Sequence, residues 1–257
     1  NGDDDRVLKL SEFSKGKMSL ISFEESYLRL IKSENRSPVL RKEDTHIITG
    51  IRTDGASLSN TFEIRQGKNT LSVVEPIPGA FNCFSATAAL LAFASIVGRD
   101  LFLLSGKYDI DFGKLRPAFG RGEILEHGDT KYQIFLGKNP AGLSLNLHLL
   151  SQVKAGKAIL FILNDNTADG RDVSWIWDTD FSYFRKISDK FKIFVAGTRG
   201  LDMALRLKYE GIGEARIFKD ISEAIRMIGR EKFEKVFVLP TYTAMLDFRK
   251  ALKLKIV

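Results

Sequence analysis

Cysteine is almost missing from this chain: Cys83 is the only one in 257 residues. That excludes an intramolecular disulfide and a zinc site built from cysteines, and it fits a reducing cytosol. Histidine is nearly as scarce. His46, His127 and His148 stand far apart and match no metal-ligand spacing, so no metal site is expected from them. No run approaches the roughly 18 consecutive apolar residues that a membrane helix needs. The longest, over residues 86–97, is broken by Thr87 and Ser95. The first residues, Asn1-Gly2-Asp3-Asp4-Asp5, show no secretory leader. The chain is expected to be cytoplasmic, with at most a peripheral contact at the inner face of the membrane. It also has no GxGxxG dinucleotide signature and no GxxxxGK[ST] phosphate loop. No internal repeat or low-complexity linker interrupts it.

What is present is an ordinary globular balance, 44% hydrophobic and 28% charged, with a formal net charge of +7. A positive surface suits nucleic acid, an anionic membrane or a phosphorylated substrate. Nucleic acid is not expected as a partner, because the Lys and Arg residues are scattered and no nucleic-acid motif accompanies them. The length allows one large or two medium domains, and the pattern divides near residue 117. Residues 1–117 mix strands (45–52, 61–65, 70–74) with turns. An Ala-rich helix over 82–97 then ends at Gly98. Residues 118–257 alternate more regularly. Strands are expected at 132–136, 158–163, 192–196, 215–218 and 235–239. Helices are expected at 143–153, 173–187, 201–210, 221–228 and 241–252. Short apolar strands separated by helices imply right-handed crossovers and a mostly parallel, Rossmann-like α/β sheet with helices on both faces.

The most polar punctuation follows these strands. Asn164-Asp165-Asn166-Thr167-Ala168-Asp169-Gly170-Arg171-Asp172-Val173-Ser174-Trp175-Ile176-Trp177-Asp178 follows the strand at 158–163. Gly137-Lys138-Asn139-Pro140 and Gly197-Thr198-Arg199-Gly200 follow two others, and Thr241 follows the last. Parallel strands share their carboxyl ends, so one sheet edge is expected to gather Lys138, Asn139, Asp165, Asp169, Asp172, Arg199 and Thr241. Ligands of open α/β folds bind at that edge. The bland alternative is that the aspartates are turn and cap residues. Arg121, in Phe119-Gly120-Arg121-Gly122-Glu123, sits at the domain junction, where it suits either a phosphate or an interdomain ion pair. Cys83 lies in the Ala-rich helix and reads as a small apolar core residue.

Several segments together resemble the MurT family of the Mur ligase superfamily. They are Ala118–Glu123 (AFGRGE), residues 137–142 (GKNPAG), 164–178, 196–211 (AGTRGLDMALRLKYEG) and 239–246 (LPTYTAML). Residues 78–89 (PGAFNCFSATAA) resemble the Mur ligase helix that contacts adenine, with Asn82 on its first Asn and Ser85 in place of the second. Asn1-Gly2-Asp3-Asp4 resembles a segment late in the central ATPase domain. The resemblance implies that residues 1–117 are the remnant of a Mur ligase central ATPase domain, truncated at its N-terminus, and that 118–257 form the C-terminal domain. It implies a subunit of lipid II isoglutaminyl synthase. ATP would phosphorylate the α-carboxyl of D-Glu in the lipid II stem peptide, and ammonia from a GatD-like glutaminase partner would then give D-isoglutamine.

It also implies site residues. An aspartate of this chain would complete the partner's Cys-His pair: Asp169 first, then Asp172, then Asp165. Asn82, Arg121, Lys138 and Asn139 map near the nucleotide. The main phosphate and Mg²⁺ site is expected upstream of Asn1, so this chain alone should not hydrolyse ATP. The four-cysteine zinc ribbon of many MurT proteins is replaced by residues 17–38, which read as a charged amphipathic helix. Two other readings remain open: a non-catalytic docking module, and a Mur-type ligase that adds an amino acid to a muramyl peptide.

Overall fold

The computed structural model describes residues 1–16, 18–30, 45–104, 112–153 and 157–253. They form two compact units, Asn1–Leu115 and Arg116–Val257.

In the first unit, α1 (Asp5–Leu10) precedes a four-stranded sheet of β1 (Leu20–Phe23), β2 (Thr45–Thr53), β3 (Asn60–Gln66) and β4 (Asn69–Glu75) in that spatial order. β1 and β2 are parallel, and the other pairs are antiparallel. In β3, buried Asn60, Phe62 and Ile64 alternate with more exposed neighbours, as a half-buried strand requires. The inner face packs on α3 (Ala80–Ile96), whose Cys83, Ala86, Leu90 and Ala94 meet Ile48, Phe62, Ile64 and Val73. The small residues of α3 let it lie close to the sheet.

The amphipathic helix expected over residues 17–38 is not what the described part of that segment forms. Leu20–Phe23 is strand β1, and only Glu25–Leu30 is helical, as α2. All four β1 residues are buried. β1 pairs with β2, and Ile21 also accepts a bond of 2.7 Å from the Gly2 amide. Pairing with β2 on one side and the Gly2 amide win over a local helical pattern. Residues 17 and 31–38 lie outside the described residues.

The second unit is a six-stranded sheet. Its strands are β5 (Arg121–His127), β6 (Thr130–Phe135), β7 (Lys157–Ile162), β8 (Phe191–Ala196), β9 (Ala215–Ile217) and β10 (Lys235–Pro240). The spatial order is β5-β6-β10-β7-β8-β9, and only the β5–β6 pair is antiparallel. Its helices are α4 (Pro140–Leu150), α5 (Ser182–Arg185), α6 (Gly200–Tyr209), α7 (Ile221–Arg230) and α8 (Tyr242–Ala251). The central strands are apolar throughout because both faces are covered. Leu160, Phe194 and Val238 pack with Ile225 and Ile228 of α7 and Met245 and Phe248 of α8. On the other face Phe161 meets Phe184 of α5, and Phe191 bridges Phe184 to Phe237, with ring centroids 5.8–6.3 Å apart.

The continuous helix expected over 173–187 is broken. A 3₁₀ turn, Ser174–Asp178, is followed by extended Thr179 and then the single turn α5. Arg206 of α6 explains the break. Its Nε donates to the Ile176 carbonyl at 3.1 Å and its Nη2 to the Thr179 carbonyl at 3.1 Å. Those carbonyls need no helical partner. The guanidinium also lies over the rings of Phe181 and Trp177.

β10 returns between β6 and β7, so chain connections diverge around it. The loops leaving these strands meet at the carboxyl edge. The Thr241 amide donates to the Ile162 carbonyl at 3.0 Å, and the Gly137 amide donates to the Pro240 carbonyl at 3.0 Å.

Candidate functional site

Asn164, the first residue of the aspartate loop, organises that edge. Its backbone amide donates to Thr241 Oγ1 at 3.1 Å. Its Nδ2 donates to Thr243 Oγ1 at 3.1 Å and to Asp247 Oδ2 at 3.2 Å. Its Oδ1 accepts from the Thr198 amide at 3.0 Å. One buried side chain thus joins the loops after β7, β8 and β10. Gly197 permits this closeness. Its φ is 99°, and any Cβ there would strike the Leu163 carbonyl.

The three candidate aspartates occupy different environments. Asp169, at the end of the 3₁₀ turn Thr167–Asp169, is buried. Its Oδ1 accepts from the Thr243 amide at 2.7 Å, and its Oδ2 accepts from the Thr243 hydroxyl. Thr243 is in the first turn of α8, so Asp169 caps that helix from a distant loop. Asp165 accepts from Thr198 Oγ1 at 2.9 Å and pairs with Arg199 at 3.3 Å. The Thr198 hydroxyl and then Arg199 hold its carboxyl below the usual range. Arg199 also binds Asp202 at 2.7 Å, and Asp202 then Asp165 hold the guanidinium charged.

Asp172 is exposed. Its Oδ1 accepts from the Ser174 amide at 2.8 Å, and that bond, seconded by the Ser174 hydroxyl, holds the carboxyl below its usual range. Of the three, it presents an ionised carboxylate outward from a fixed turn. Trp177, five residues on, is exposed and stands edge-on to Tyr209 of α6 at 5.7 Å.

The other candidates are more dispersed. Lys138 and Asn139 are exposed at the N-terminus of α4. Asn139 is the N-cap, its Oδ1 accepting from the Gly142 amide at 2.8 Å. Arg121 is exposed at the start of β5. Asn82 lies in the first unit, in the first turn of α3, and its Nδ2 donates to the Pro78 carbonyl at 2.6 Å. The sheet edge therefore joins Asp165, Asp169, Arg199 and Thr241 through shared loops, while Asp172 faces outward. Sequence reasoning missed the organising role of Asn164 and the ion pair of Glu123 with Arg249, at 2.8 Å. A polar residue directly after an apolar strand was the available signal for the first. The second joins residues too far apart in sequence to leave one.

Residues 136–245 match the family described as MurT ligase C-terminal. The chain is 33% identical over 178 residues to the lipid II isoglutaminyl synthase (glutamine-hydrolyzing) subunit MurT of Streptococcus pneumoniae, covering 68% of this chain and 38% of that protein. It is 36% identical over 132 residues to the subunit of the same name from Staphylococcus aureus, covering 51% and 29%. The chain thus spans well under half the length of these curated relatives. Among solved structures it is similar to UDP-N-acetylmuramoylalanyl-D-glutamyl-2,6-diaminopimelate--D-alanyl-D-alanyl ligase from Acinetobacter baumannii. The TM-score is 0.58 at 16% identity, over 98% of this chain and 48% of that one. UDP-N-acetylmuramate-alanine ligase MurC from Thermotoga maritima gives a TM-score of 0.57 at 16% identity, over 81% and 45%. At such identities the likeness is one of fold. Sequence relatives that run through the aspartate loop carry the assignment: the chain belongs to the MurT family, with a fold like that of these Mur ligases.

Proposed function

We propose that this chain serves in a MurT-like subunit of an ATP-dependent, glutamine-hydrolysing amidotransferase. The complex would convert the D-Glu α-carboxyl of the lipid II stem peptide to D-isoglutamine, in peptidoglycan synthesis at the cytoplasmic face of the membrane. Among the described residues no helix is long and apolar enough to cross a membrane, so contact with lipid II would be peripheral. The observation that carries the proposal is the similarity to MurT subunits across residues that hold the whole aspartate loop.

Glutamine hydrolysis requires a nucleophile, and Cys83 is unsuited to be one. It is fully buried, and burial, then the nearby Glu75 carboxyl, pushes its thiol well above the ordinary value. A GatD-like glutaminase partner would bring the Cys and His. The third member would come from this chain, a carboxylate that orients the partner's His and stabilises its imidazolium. Asp172 fits that role better than Asp169, because it is exposed and ionised while both Asp169 oxygens serve Thr243. Asp169 would act indirectly, by anchoring the loop that carries Asp172.

On the nucleotide side, exposed Arg121 and Lys138 are the cations a polyphosphate needs, and the α4 N-terminus beside Lys138 favours an anion. Asn139 contributes by capping α4. ATP with Mg²⁺ would supply the activation of the substrate carboxyl.

The test is glutaminase turnover of the complex carrying Asp172→Asn. A drop on the order of 10³- to 10⁴-fold is expected, as for other lost triad carboxylates. Full activity in that variant would sink the assignment.

A further inference from the structure

The start of β5 carries a second built device. Arg121 is flanked by Gly120 (φ 71°) and Gly122 (φ 87°), and the β5–β6 register shifts between Arg121 and Glu123. A bulge of this kind re-aims a side chain. Two glycines would also leave it loose, since each permits many backbone conformations. Contacts on all sides remove that freedom. The Arg121 amide donates to the Ala118 carbonyl at 2.8 Å, and the Gly120 carbonyl accepts from the Leu136 amide at 2.8 Å. The Gly120 amide donates to Glu123 Oε2 at 3.1 Å.

Glu123 is itself held from α8. Arg249 Nη1 donates to both of its carboxylate oxygens, at 2.8 and 2.9 Å, and both side chains are largely buried. The same guanidinium lies 4.4 Å from the centre of the Phe119 ring. Met245, one turn earlier on α8, fills the space beneath Gly120, where any Cβ would strike its sulfur. α8 therefore grips the chain on both sides of an exposed arginine. A buried ion pair is costly to desolvate and adds little net stability. It suits a place where the aim of a neighbouring side chain matters.

We infer that Glu123 and Arg249 are positioning residues that hold the Arg121 guanidinium for the polyphosphate of a bound nucleotide. The inference rests on the reading of this chain as part of an ATP-dependent ligase, and it adds the residues that set the geometry.

The experiment is a double-mutant cycle on ADP affinity, measured by titration calorimetry in the intact protein, with amide exchange followed over residues 120–122. Arg121→Ala weakens ADP binding between about 10- and 100-fold, the scale of a displaced or missing phosphate contact. Glu123→Gln, which keeps the shape, weakens it nearly as much and speeds exchange at those amides. On the Arg121→Ala background it adds less than about twofold, because both changes remove one interaction. Arg249→Met repeats the pattern should Glu123→Gln fail to fold. Equal weakening by Glu123→Gln with and without Arg121, or no weakening, overturns the inference. So does indifference of ADP binding to Arg121→Ala. A wild-type full-length subunit that binds no ADP overturns the ligase reading itself, a result that the cycle separates from failure of the clamp alone.

Discussion

In the first unit the buried carboxyl of Glu75 has an Oε2 with no hydrogen-bond partner among the described residues, as do the buried hydroxyls of Thr45 and Thr49. In the second unit the buried carboxyl of Asp169 has both oxygens occupied by Thr243, and the buried side chain of Asn164 is fully used. The consequence for Glu75 is electrostatic. Burial pushes its carboxyl up to about 7. The consequence for the sheet edge is geometric. Asn164, Asp165 and Asp169 each have a partner from another segment, so the loops have one arrangement. A satisfied polar network specifies a structure, whereas a lone buried acid makes stability depend on pH.

Three changes sharpen that contrast. The largest is Asn164→Leu. It removes the side-chain bonds to Thr198, Thr243 and Asp247 and leaves the Thr198 amide without its partner, so a loss of about 3–4 kcal/mol is expected in urea denaturation. A loss below about 1 kcal/mol would mean that the loops hold one another without Asn164.

Next comes the pH profile of Glu75. The folded carboxyl keeps its proton to about pH 7, while the unfolded one releases it near its ordinary value of 4.5. Stability should therefore fall as pH rises through that window, by up to about 3 kcal/mol. Glu75→Gln should flatten the profile, which denaturation at pH 5 and pH 8 would reveal. An unchanged slope would show that other groups carry it.

The smallest effects compare two neighbours in the aspartate loop. Asp169→Asn should cost about 1–2 kcal/mol as a lost helix cap, while Asp172→Asn should stay within about 0.5 kcal/mol as a surface change. If the two variants lost equal stability, Asp172 would be structural too.

Much of the second unit was legible in sequence. β7, β8 and β10 are short apolar runs, and α6, α7 and α8 have helical spacing. β5 was not legible. Only Gly122 of its seven residues is buried, so an edge strand with a bulge shows no alternation. The break after Ser174–Asp178 was hidden because Arg206, 27 residues beyond Thr179, takes the carbonyl that a helix would have used. β1 was hidden because four residues are too few to carry a period, and their pairing partners lie elsewhere in the chain.

The aspartate loop was visible as a candidate site, and its three carboxylates could not be told apart. Asp169 and Asp172 have the same chemistry and stand three residues apart in one polar run.

What the sequence determined by itself was local: apolar strands that end in polar turns, hence a parallel sheet with its chemistry on one edge. Strand and helix periods arise from neighbouring residues, so the chain states them directly. What only the tertiary structure decided was which polar groups are spent on one another. Asp169 meets Thr243 across 74 residues, and Glu123 meets Arg249 across 126. Such pairs are set by how the strands are ordered in the sheet. Only after they form does Asp172 stand as the outward carboxylate and Arg121 on a bulge braced from α8.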